Sequence, residues 1–433
     1  VLALGLGLAF ALPKPSARQH PERTEVRFWH PWTAEWKVVV DEIVSRFNAS
    51  QTTYEVVALS VPPRAADTKF VLAVAGGDPP DLMAHWNPVI PNWGDSGLLT
   101  AVDDFLPPAE MAALKARMVP AARKIGEYQG RLYGVCIGLN LFACYYHPAH
   151  FREAGLDPDR FPETLEELFA AAGKLDRYDG RILTRLGLTT PAITHLAPLF
   201  GDGFYNWSTG TLQIDAPENL RALEFANGRH QQLGFDNVAR FMAGIDRDSF
   251  AAGWPFIGGH YSITVEAQWR VEQAARYAPN LEYRTAPLPP PRGGRERGGY
   301  VLGNFMMIPR GARETAGAWE FIKFWSGIEN PERAGELAAL GGWLPMLPEV
   351  VASAAYQDYL RRYPQFRTFV DLLDSENLQT VPPVPFTTFL IDRLGQADDL
   401  TRRGLRTPAE ALRMVRDEVL HEQARRRRFG YEE

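Results

Sequence analysis

Residues 26–47, VRFWHPWTAEWKVVVDEIVSRF, decide the fold. The apolar residues Val26–Trp29 predict a short strand, and the sequence then passes through His30 and Trp32 directly into a helix. Thr33 is the predicted N-cap of that helix. Four apolar side chains follow at the i, i+3, i+4, i+7 spacing of one helical face: Val40, Ile43, Val44 and Phe47. The residues between strand and helix therefore lie at the carboxyl end of a strand, where open α/β sheets bind small ligands.

The next segments continue the alternation of strands and helices. Tyr54–Val61 predicts a second strand, residues 68–75 a second helix and Asp81–Trp86 a third strand. This order is typical of an α/β domain with a mainly parallel sheet flanked by helices. The third strand leads into His85, Trp86 and Asn87. A second group of aromatic and polar side chains is therefore expected at the edge of the sheet that carries the first.

Length and composition limit the possible functions. The 433 residues exceed one compact core and indicate two or three domains. A net charge of −6 argues against a nucleic-acid-binding protein. Many of the eleven tryptophans lie beside Gly, Pro or Asn rather than in periodic segments, which favours a ligand with apolar faces. No cofactor and no metal site are expected.

The N-terminal segment VLALGLGLAFALPKPSAR is predicted to be part of an export signal. Its apolar run has the length of a signal-peptide core, and Ala9–Ala11 offers a cleavage pattern of two alanines flanking one residue. A buried N-terminal helix is the alternative. The two cysteines, Cys136 and Cys144, are compatible with two buried thiols or with a disulfide, which export would permit.

Helix-start motifs mark several later elements. Thr164 with Glu167, and Thr407 with Glu410, have the spacing of a capping box. Asn330 before Pro331 predicts the start of a helix that ends at Gly341–Gly342. Four tryptophans lie in periodic segments and are expected in the core: Trp29, Trp36, Trp319 and Trp325.

Five segments, in this order and spacing, resemble one known family. They are FWHPW at 28–32, AGGDPPDL at 75–82, GLLTAVDDF at 97–105, the run from Tyr133 to Leu168 and the run from Gly317 to Met346. The chain is similar to the extracellular solute-binding proteins of ABC importers, in the sugar-binding group with maltose-type and glycerol-phosphate-type members. The resemblance covers most of the chain from Val26 onward.

The resemblance implies a two-lobed periplasmic-binding-protein-like fold, each lobe a mainly parallel sheet flanked by helices, joined by a hinge that closes over a ligand in the interlobe cleft. Residues 1–23 would be an export-signal remnant and linker. Lobe one would contain 24–137 and 283–342, and lobe two 138–282 and 343–433. The segment GWPFIGGHYSITVEAQW at 253–269 departs from the family pattern, which leaves the roles of Trp254, His260, Glu266 and Trp269 open.

A sugar offers apolar C–H faces to aromatic rings and hydroxyl groups to polar side chains. Micromolar binding needs roughly 8 kcal/mol, which several hydrogen bonds and two or three stacked rings can supply. Asn87 and Asn140 could equally be turn formers, because asparagine is common before Pro and beside Gly. The predicted ligand-binding residues are His30, Trp32, His85, Trp86, Asn87, Asn140, Trp207, Trp269, Asn304 and Trp343.

These features predict the substrate-binding component of an ATP-driven carbohydrate importer. It would be a non-catalytic, exported, periplasmic or extracytoplasmic monomer that captures an oligosaccharide and delivers it to the membrane permease subunits. The alternative ligand is a glycerol phosphodiester or another phosphorylated polyol, although neither strand-end group contains Arg or Lys. The more distant alternative is a glycoside hydrolase, for which Asp202 and Glu266 are candidate carboxylates.

Overall fold

The computed structural model describes residues 18–86, 88–245 and 253–429. Most of the predicted export segment, together with Asn87, lies outside these residues. In the described part of the chain, no helix is both long and apolar enough to cross a membrane. The strands are β1 (Thr24–His30), β2 (Tyr54–Ser60), β3 (Leu82–Trp86), β4 (Leu99–Thr100), β5 (Glu127–Tyr128), β6 (Arg131–Leu132), β7 (Val135–Tyr146), β8 (Arg177–Asp179), β9 (Ile182–Leu188), β10 (Tyr205–Asn206), β11 (Thr211–Leu212), β12 (Tyr261–Ala267), β13 (Arg284–Ala286), β14 (Gly299–Pro309) and β15 (Leu378–Gln379).

The α-helices alternate with these strands. They are α1 (Ala34–Ser50), α2 (Pro63–Ala75), α3 (Val89–Asp95), α4 (Pro108–Arg117), α5 (Pro120–Gly126), α6 (Pro148–Glu153), α7 (Leu165–Leu175), α8 (Ile193–Phe200), α9 (Pro217–Leu233), α10 (Phe235–Ile245), α11 (Trp269–Tyr277), α12 (Thr315–Ser326), α13 (Pro331–Gly341), α14 (Pro348–Val351), α15 (Ala354–Arg362), α16 (Arg367–Val370), α17 (Thr387–Arg402) and α18 (Pro408–Arg428). Short 3-10 helices occur at Val102–Phe105 and Pro364–Phe366.

The chain divides into two compact units. The first unit contains the described residues up to Leu139 together with Gly303–Tyr359, and the second contains Asn140–Leu302 and the described residues from Leu360 onward. The chain therefore passes from one unit to the other three times, within β7, β14 and α15.

This division differs from the predicted boundaries at residues 138–139, which belong to the first unit, and in two longer segments. Residues 283–302 belong to the second unit, because the first residues of β14 pair with β15. Residues 343–359 belong to the first unit. There the Leu139 N–H donates to the Leu344 carbonyl at 2.8 Å, and the Tyr356 hydroxyl donates to the Trp343 carbonyl at 2.8 Å. Long-range strand pairing and side-chain contacts, which the local pattern does not contain, set both boundaries.

The first unit has a sheet in the order β2-β1-β3-β14. Strands β2 and β3 run parallel to β1, with Phe28 opposite Leu82, and β14 runs antiparallel to β3, with Asn304 opposite Trp86. The carboxyl ends of β1 and β3 therefore lie at one edge, as the sequence predicted.

The second unit has its own sheet in the order β7-β12-β9-β8, and β13 pairs with the other side of β7. Strand β12 runs antiparallel to β7 and parallel to β9. The core on this sheet is built from apolar side chains of α7, α8, α9, α17 and α18, including Leu168, Leu196 and Leu412.

Local sequence patterns account for several helix starts and faces. The four predicted residues of α1 are its buried residues. Thr33 is its N-cap, without a side-chain capping bond. Thr407 and Glu410 form the complete capping box. At Thr164 only half of the box forms, because the Glu167 carboxylate accepts from the Glu163 N–H instead.

The tryptophans of periodic segments divide into two groups. Trp319 and Trp325 are buried, as predicted. Trp29 and Trp36 are only half-buried, and the Lys69 ammonium group lies 4.6 Å from the centre of the Trp29 ring. The prediction that Trp29 and Trp36 lie in the core is therefore wrong, because each also presents one side to solvent.

Helix α12 approaches the sheet of the first unit closely at Gly317. A Cβ atom at this position would lie 2.5 Å from Val26 Cγ2 and 2.7 Å from Tyr54 Cδ1. We expect Gly317→Ala to lower the free energy of unfolding by about 1–3 kcal/mol, because the added methyl group forces the helix away from β1 and β2. Urea unfolding followed by circular dichroism measures this change.

A matched control is Gly395→Ala in α17, where an added Cβ has no neighbour within 4 Å. This substitution should be neutral or stabilising by up to about 1 kcal/mol, because alanine favours a helix over glycine. Equal effects of the two substitutions would contradict the close approach at Gly317.

Candidate functional site

The predicted residues of the first unit lie at the shared strand edge. His30 is the last residue of β1, Trp86 is the last residue of β3, and Asn304 lies opposite Trp86 in β14. His30 and Asn304 are buried and Trp86 is half-buried. The Asn304 side chain donates to the Gly138 carbonyl at 3.4 Å. The strand ends thus bring one aromatic and two polar candidates to the same edge.

Trp32 and Trp343 belong to one aromatic cluster. The Trp32 ring centre lies 5.8 Å from that of Trp343, 6.1 Å from that of Trp325 and 5.7 Å from that of His30. Trp325 and Trp343 stack at 5.1 Å. We call Trp32, Trp325 and Trp343 the tryptophan cluster. Two residues predicted as ligand contacts are thus held in place by Trp325, which the sequence assigned to the core.

Two glycines lie directly against the Trp343 side chain. A Cβ at Gly138 would lie 3.0 Å from the Trp343 Cβ, and a Cβ at Gly341 would lie 3.0 Å from the Trp343 ring. The Trp343 N–H donates to the Ala338 carbonyl at 3.1 Å. The next residue after Gly341, Gly342, caps α13 in the left-handed conformation that glycine adopts most readily. The position of the ring is therefore fixed by backbone on both sides.

His85 has a hydrogen-bond partner at Nδ1 and a carboxylate close to Nε2. Its Nδ1 lies 2.7 Å from the Trp86 carbonyl, and its Nε2 lies 2.9 Å from an Asp67 carboxylate oxygen. The ring is buried and lies 5.5 Å from the ring of Trp93. These contacts orient β3 and Trp86, so the structure gives His85 a positioning contact in addition to its predicted role.

In the second unit, Gln268 links two predicted residues. Its carboxamide oxygen accepts from the Leu141 N–H at 3.1 Å, and its amide group donates to the Asn140 side chain at 3.0 Å. Gln268 is also the N-cap residue of α11, directly before Trp269. Trp269 is half-buried, and its ring meets the Phe142 ring edge-on at 6.2 Å. Asn140 and Trp269 are thus positioned by one buried glutamine.

Trp207 lies in another part of the second unit. It is in the β10–β11 hairpin, beside Tyr205.

A cavity of about 330 Å³ lies within the second unit. It opens between the end of β9, the start of α8, strand β12 and the start of α11. This volume is at the lower end of the range for small-molecule pockets. Its described lining residues are Thr189, Thr190, Pro191, Ala192, His195, Met242, Trp254, Pro255, Tyr261, Thr264, Val265, Glu266 and Arg270.

Charged and polar groups line one side of this cavity. Arg270 donates to the Glu266 carboxylate at 3.2 Å and to the Gln273 side chain at 2.7 Å, and its guanidinium group lies 4.6 Å from the Trp254 ring centre. The hydroxyl groups of Thr189 and Thr264 lie 2.9 Å apart. The cavity therefore presents a carboxylate, hydroxyl groups and aromatic rings together.

His195 completes this polar side. Its ring meets Phe142 edge-on at 4.4 Å and Tyr300 at 5.4 Å. Both ring nitrogens are buried and have no hydrogen-bond partner among the described residues. Burial lowers the pKa of His195 to about 4, so the imidazole is neutral at physiological pH and carries one donor and one acceptor.

Sequence reasoning missed part of this cavity. His195 and the threonines were not predicted, and the role of Glu266 was left open. One sequence feature could have indicated the threonines: Thr189, Thr190 and Pro191 directly follow a strand. Side chains that follow strand ends are candidates for ligand contact.

The hydrolase candidates Asp202 and Glu266 have separate partners. Asp202 forms an ion pair with Arg295 at 2.6 Å, whereas Glu266 pairs with Arg270. Asp202 is not among the described residues that line the cavity.

Cys136 and Cys144 are buried free thiols, and burial raises the pKa of Cys136 to about 12.

His30 makes the stability of the protein depend on pH. Burial lowers its pKa from 6.5 to about 4, with a smaller opposing effect from Asp41 and a smaller lowering effect from Lys37. The unfolded chain therefore binds a proton between pH 6.5 and 4 that the folded chain excludes. This contribution, up to roughly 3 kcal/mol, is fully present above pH 6.5 and is lost as the pH falls towards 4.

We therefore expect the free energy of unfolding to fall from pH 7 to pH 5, and His30→Gln to reduce the steepness of that fall. Urea titrations at several pH values measure it. An identical pH dependence in the variant and the wild type would contradict the assignment to His30.

The chain forms two α/β units and crosses between them three times. Each unit has aromatic and polar residues at strand ends. These features define a two-lobed binding protein. The chain belongs to the bacterial extracellular solute-binding protein family, whose model matches residues 42–365. The predicted family and fold class are confirmed.

Relatives and solved structures agree with this membership. The chain is 24% identical to the maltotriose-binding protein of Pyrococcus abyssi over 334 residues, covering 76% of this chain and 67% of that protein. It is 22% identical over 436 residues to the sn-glycerol-3-phosphate-binding periplasmic protein UgpB of Shigella dysenteriae, covering 95% and 93%.

Two solved structures show the same fold. The mannotriose-bound protein CpMnBP1 matches with a TM-score of 0.79 at 24% identity, covering 92% of this chain and 100% of that chain. The sugar-binding protein MalE from Xanthomonas citri matches with a TM-score of 0.77 at 21% identity, covering 95% and 100%. The family and the relatives are binding proteins.

Proposed function

We propose that this protein is the non-catalytic, substrate-binding component of an ATP-driven importer and that its ligand is a neutral oligosaccharide. The observation that carries the proposal is the cavity of the second unit, where a carboxylate, a neutral imidazole and two aromatic rings converge. This set matches the needs of a sugar, whose faces pack on aromatic rings and whose hydroxyl groups need donors and acceptors. The names of relatives that bind maltotriose and mannotriose support the same ligand class.

The first unit has candidate ligand contacts of its own. His30, Trp86 and Asn304 share one strand edge, and the buried tryptophan cluster lies beside His30. A ligand that binds one conformation of a protein more tightly than another shifts the population towards that conformation, which is how capture would be signalled to a permease. Export by a signal peptide, a periplasmic location and a monomeric state are parts of this proposal.

A phosphorylated polyol is the second candidate ligand, because the sn-glycerol-3-phosphate-binding relative matches 95% of the chain. A phosphate would require a cation or a helix N-terminus directed at it. Among the described residues that line the cavity, Arg270 is the cation, and its guanidinium group is paired with Glu266. The electrostatics therefore favour the neutral ligand.

Thermal unfolding in the presence of candidate ligands tests the ligand class. A ligand present at 100 times its Kd stabilises the folded state by about 2.7 kcal/mol, which raises the melting temperature by several degrees. We expect maltotriose, mannotriose or another neutral oligosaccharide to give this increase. An increase with sn-glycerol 3-phosphate alone would transfer the assignment to the second candidate.

A further inference from the structure

Of the two charged groups among the described residues that line the cavity of the second unit, the carboxylate of Glu266 is the more exposed. The Glu266 side chain is 24% exposed, whereas that of Arg270 is 9% exposed. Arg270 directs Nε and Nη2 at Glu266, at 3.2 and 3.4 Å, and Nη1 at Gln273. A carboxylate has about four lone-pair sites, so these bonds leave acceptor capacity on Glu266. Two neighbouring hydroxyl groups of a sugar ring can donate to it.

His195 supplies the complementary polar atoms. His195 is among the residues that line the cavity, and its ring is held edge-on against Phe142. Both ring nitrogens are buried and have no hydrogen-bond partner in the described part of the chain. Buried polar groups are normally hydrogen-bonded, so this pair of orphaned atoms points to a missing partner. A hydroxyl group both donates and accepts, and therefore satisfies either tautomer of the imidazole.

The cavity walls set the size and charge of what can enter. The volume of about 330 Å³, with Trp254 and Tyr261 in the wall, is suited to one ring rather than an extended chain. Glu266 is the more exposed partner of the Glu266–Arg270 ion pair, so an anion placed beside it would lie closer to the negative carboxylate than to the guanidinium group and would be repelled.

We propose, on the basis of the proposed function, that Glu266 and His195 are the specificity-determining residues of this cavity. Together they bind the hydroxyl groups of one neutral sugar ring, and Glu266 excludes phosphorylated ligands. Arg270, whose guanidinium group lies over the Trp254 ring, is a positioning residue that orients the Glu266 carboxylate.

Calorimetric titration of Glu266→Gln tests the carboxylate. The amide keeps the size of the side chain and removes the charge. The ligand is maltotriose or mannotriose, whichever binds the wild type more tightly. We expect its Kd to rise about 10- to 100-fold in the variant, because bonds to a charged acceptor are lost. Glu282→Gln is the matched control, since it removes the same charge from an exposed carboxylate of the same unit that pairs with Arg152. The control should change the Kd less than twofold.

His195→Phe gives an independent measurement. Phenylalanine keeps an aromatic ring against Phe142 and Tyr300 but has no polar atoms, and we expect a Kd about tenfold higher with an unchanged melting temperature. The wild type and Glu266→Gln are also titrated with sn-glycerol 3-phosphate, which should bind more tightly to the variant than to the wild type.

The outcomes separate the two proposals. Saccharide binding by the wild type with unchanged Kd values in Glu266→Gln and His195→Phe would overturn the specificity assignment and leave the proposed function intact. A wild type that binds sn-glycerol 3-phosphate more tightly than either trisaccharide, or binds no saccharide, would overturn both. If Glu266→Gln fails to fold, the result with His195→Phe decides the assignment.

Discussion

Replacing Trp343 with alanine is expected to weaken saccharide binding by about 100-fold. The ring lies between backbone that Gly138 and Gly341 bring close, and it stacks on Trp325 at 5.1 Å and contacts Trp32 at 5.8 Å. On the proposal that Trp343 contacts the ligand, truncation removes that apolar contact together with the support of the neighbouring Trp32 ring. Aromatic anchors of this kind contribute 2 kcal/mol or more to binding, and about 2.7 kcal/mol corresponds to the expected factor. Isothermal titration calorimetry measures it.

Loss of a buried tryptophan also destabilises the fold. The control variant must therefore lose a tryptophan that is equally buried. Trp319 lies in the same unit, is 6% exposed compared with 4% for Trp343, and stacks on Phe105 instead of the tryptophan cluster. Both Trp→Ala substitutions should lower the free energy of unfolding by about 3–5 kcal/mol. Only Trp343→Ala should lose affinity. Equal affinities in the two variants would remove Trp343 from the ligand site.

A similarly large effect on stability is expected for Asp176→Ala in the second unit. Arg229 and Asp176 form an ion pair with N–O distances of 2.7 and 2.9 Å, and their side chains are only 2% and 7% exposed. Asp176 also accepts from the Gly187 N–H at 2.7 Å. Removal of the carboxylate leaves a buried guanidinium group without its counter-charge, which costs about 3–5 kcal/mol. Urea unfolding of the variant measures the loss.

Asp399→Ala is the matched control for this experiment. Asp399 pairs with Arg403 at 2.9 Å in the same unit, but both side chains are about half exposed. Exposed pairs contribute about 0–1 kcal/mol. A loss of stability in Asp176→Ala no larger than in Asp399→Ala would show that burial does not set the strength of the Arg229–Asp176 pair.

Local patterns in the sequence predicted the parts of the fold that depend on near neighbours. The buried face of α1 and the capping box at Thr407 follow from side chains three or four residues apart. The common edge of β1 and β3 follows from the parallel order of a β-α-β-α-β segment. Each of these features is fixed within a few dozen residues.

Features that depend on distant contacts could not be predicted. The residues that line the second-unit cavity come from β9, α8, β12 and α11, and no spacing in the sequence links His195 with Glu266. Periodicity placed Trp36 in the core because it shows which side of a helix faces inward but not how far the neighbouring element covers it. Gln268, which positions Asn140 from 128 positions away, left no local signal either.

The central claim is that this solute-binding protein captures a neutral oligosaccharide. The most direct test is a calorimetric titration of the wild-type protein, unfolded and refolded to remove any co-purified ligand, with maltotriose, mannotriose and sn-glycerol 3-phosphate. We expect saturable binding of at least one trisaccharide with a Kd in the micromolar range or tighter, which corresponds to about 8 kcal/mol or more, and no saturable binding of the phosphate. Saturable binding of sn-glycerol 3-phosphate with no heat from either trisaccharide would contradict the claim.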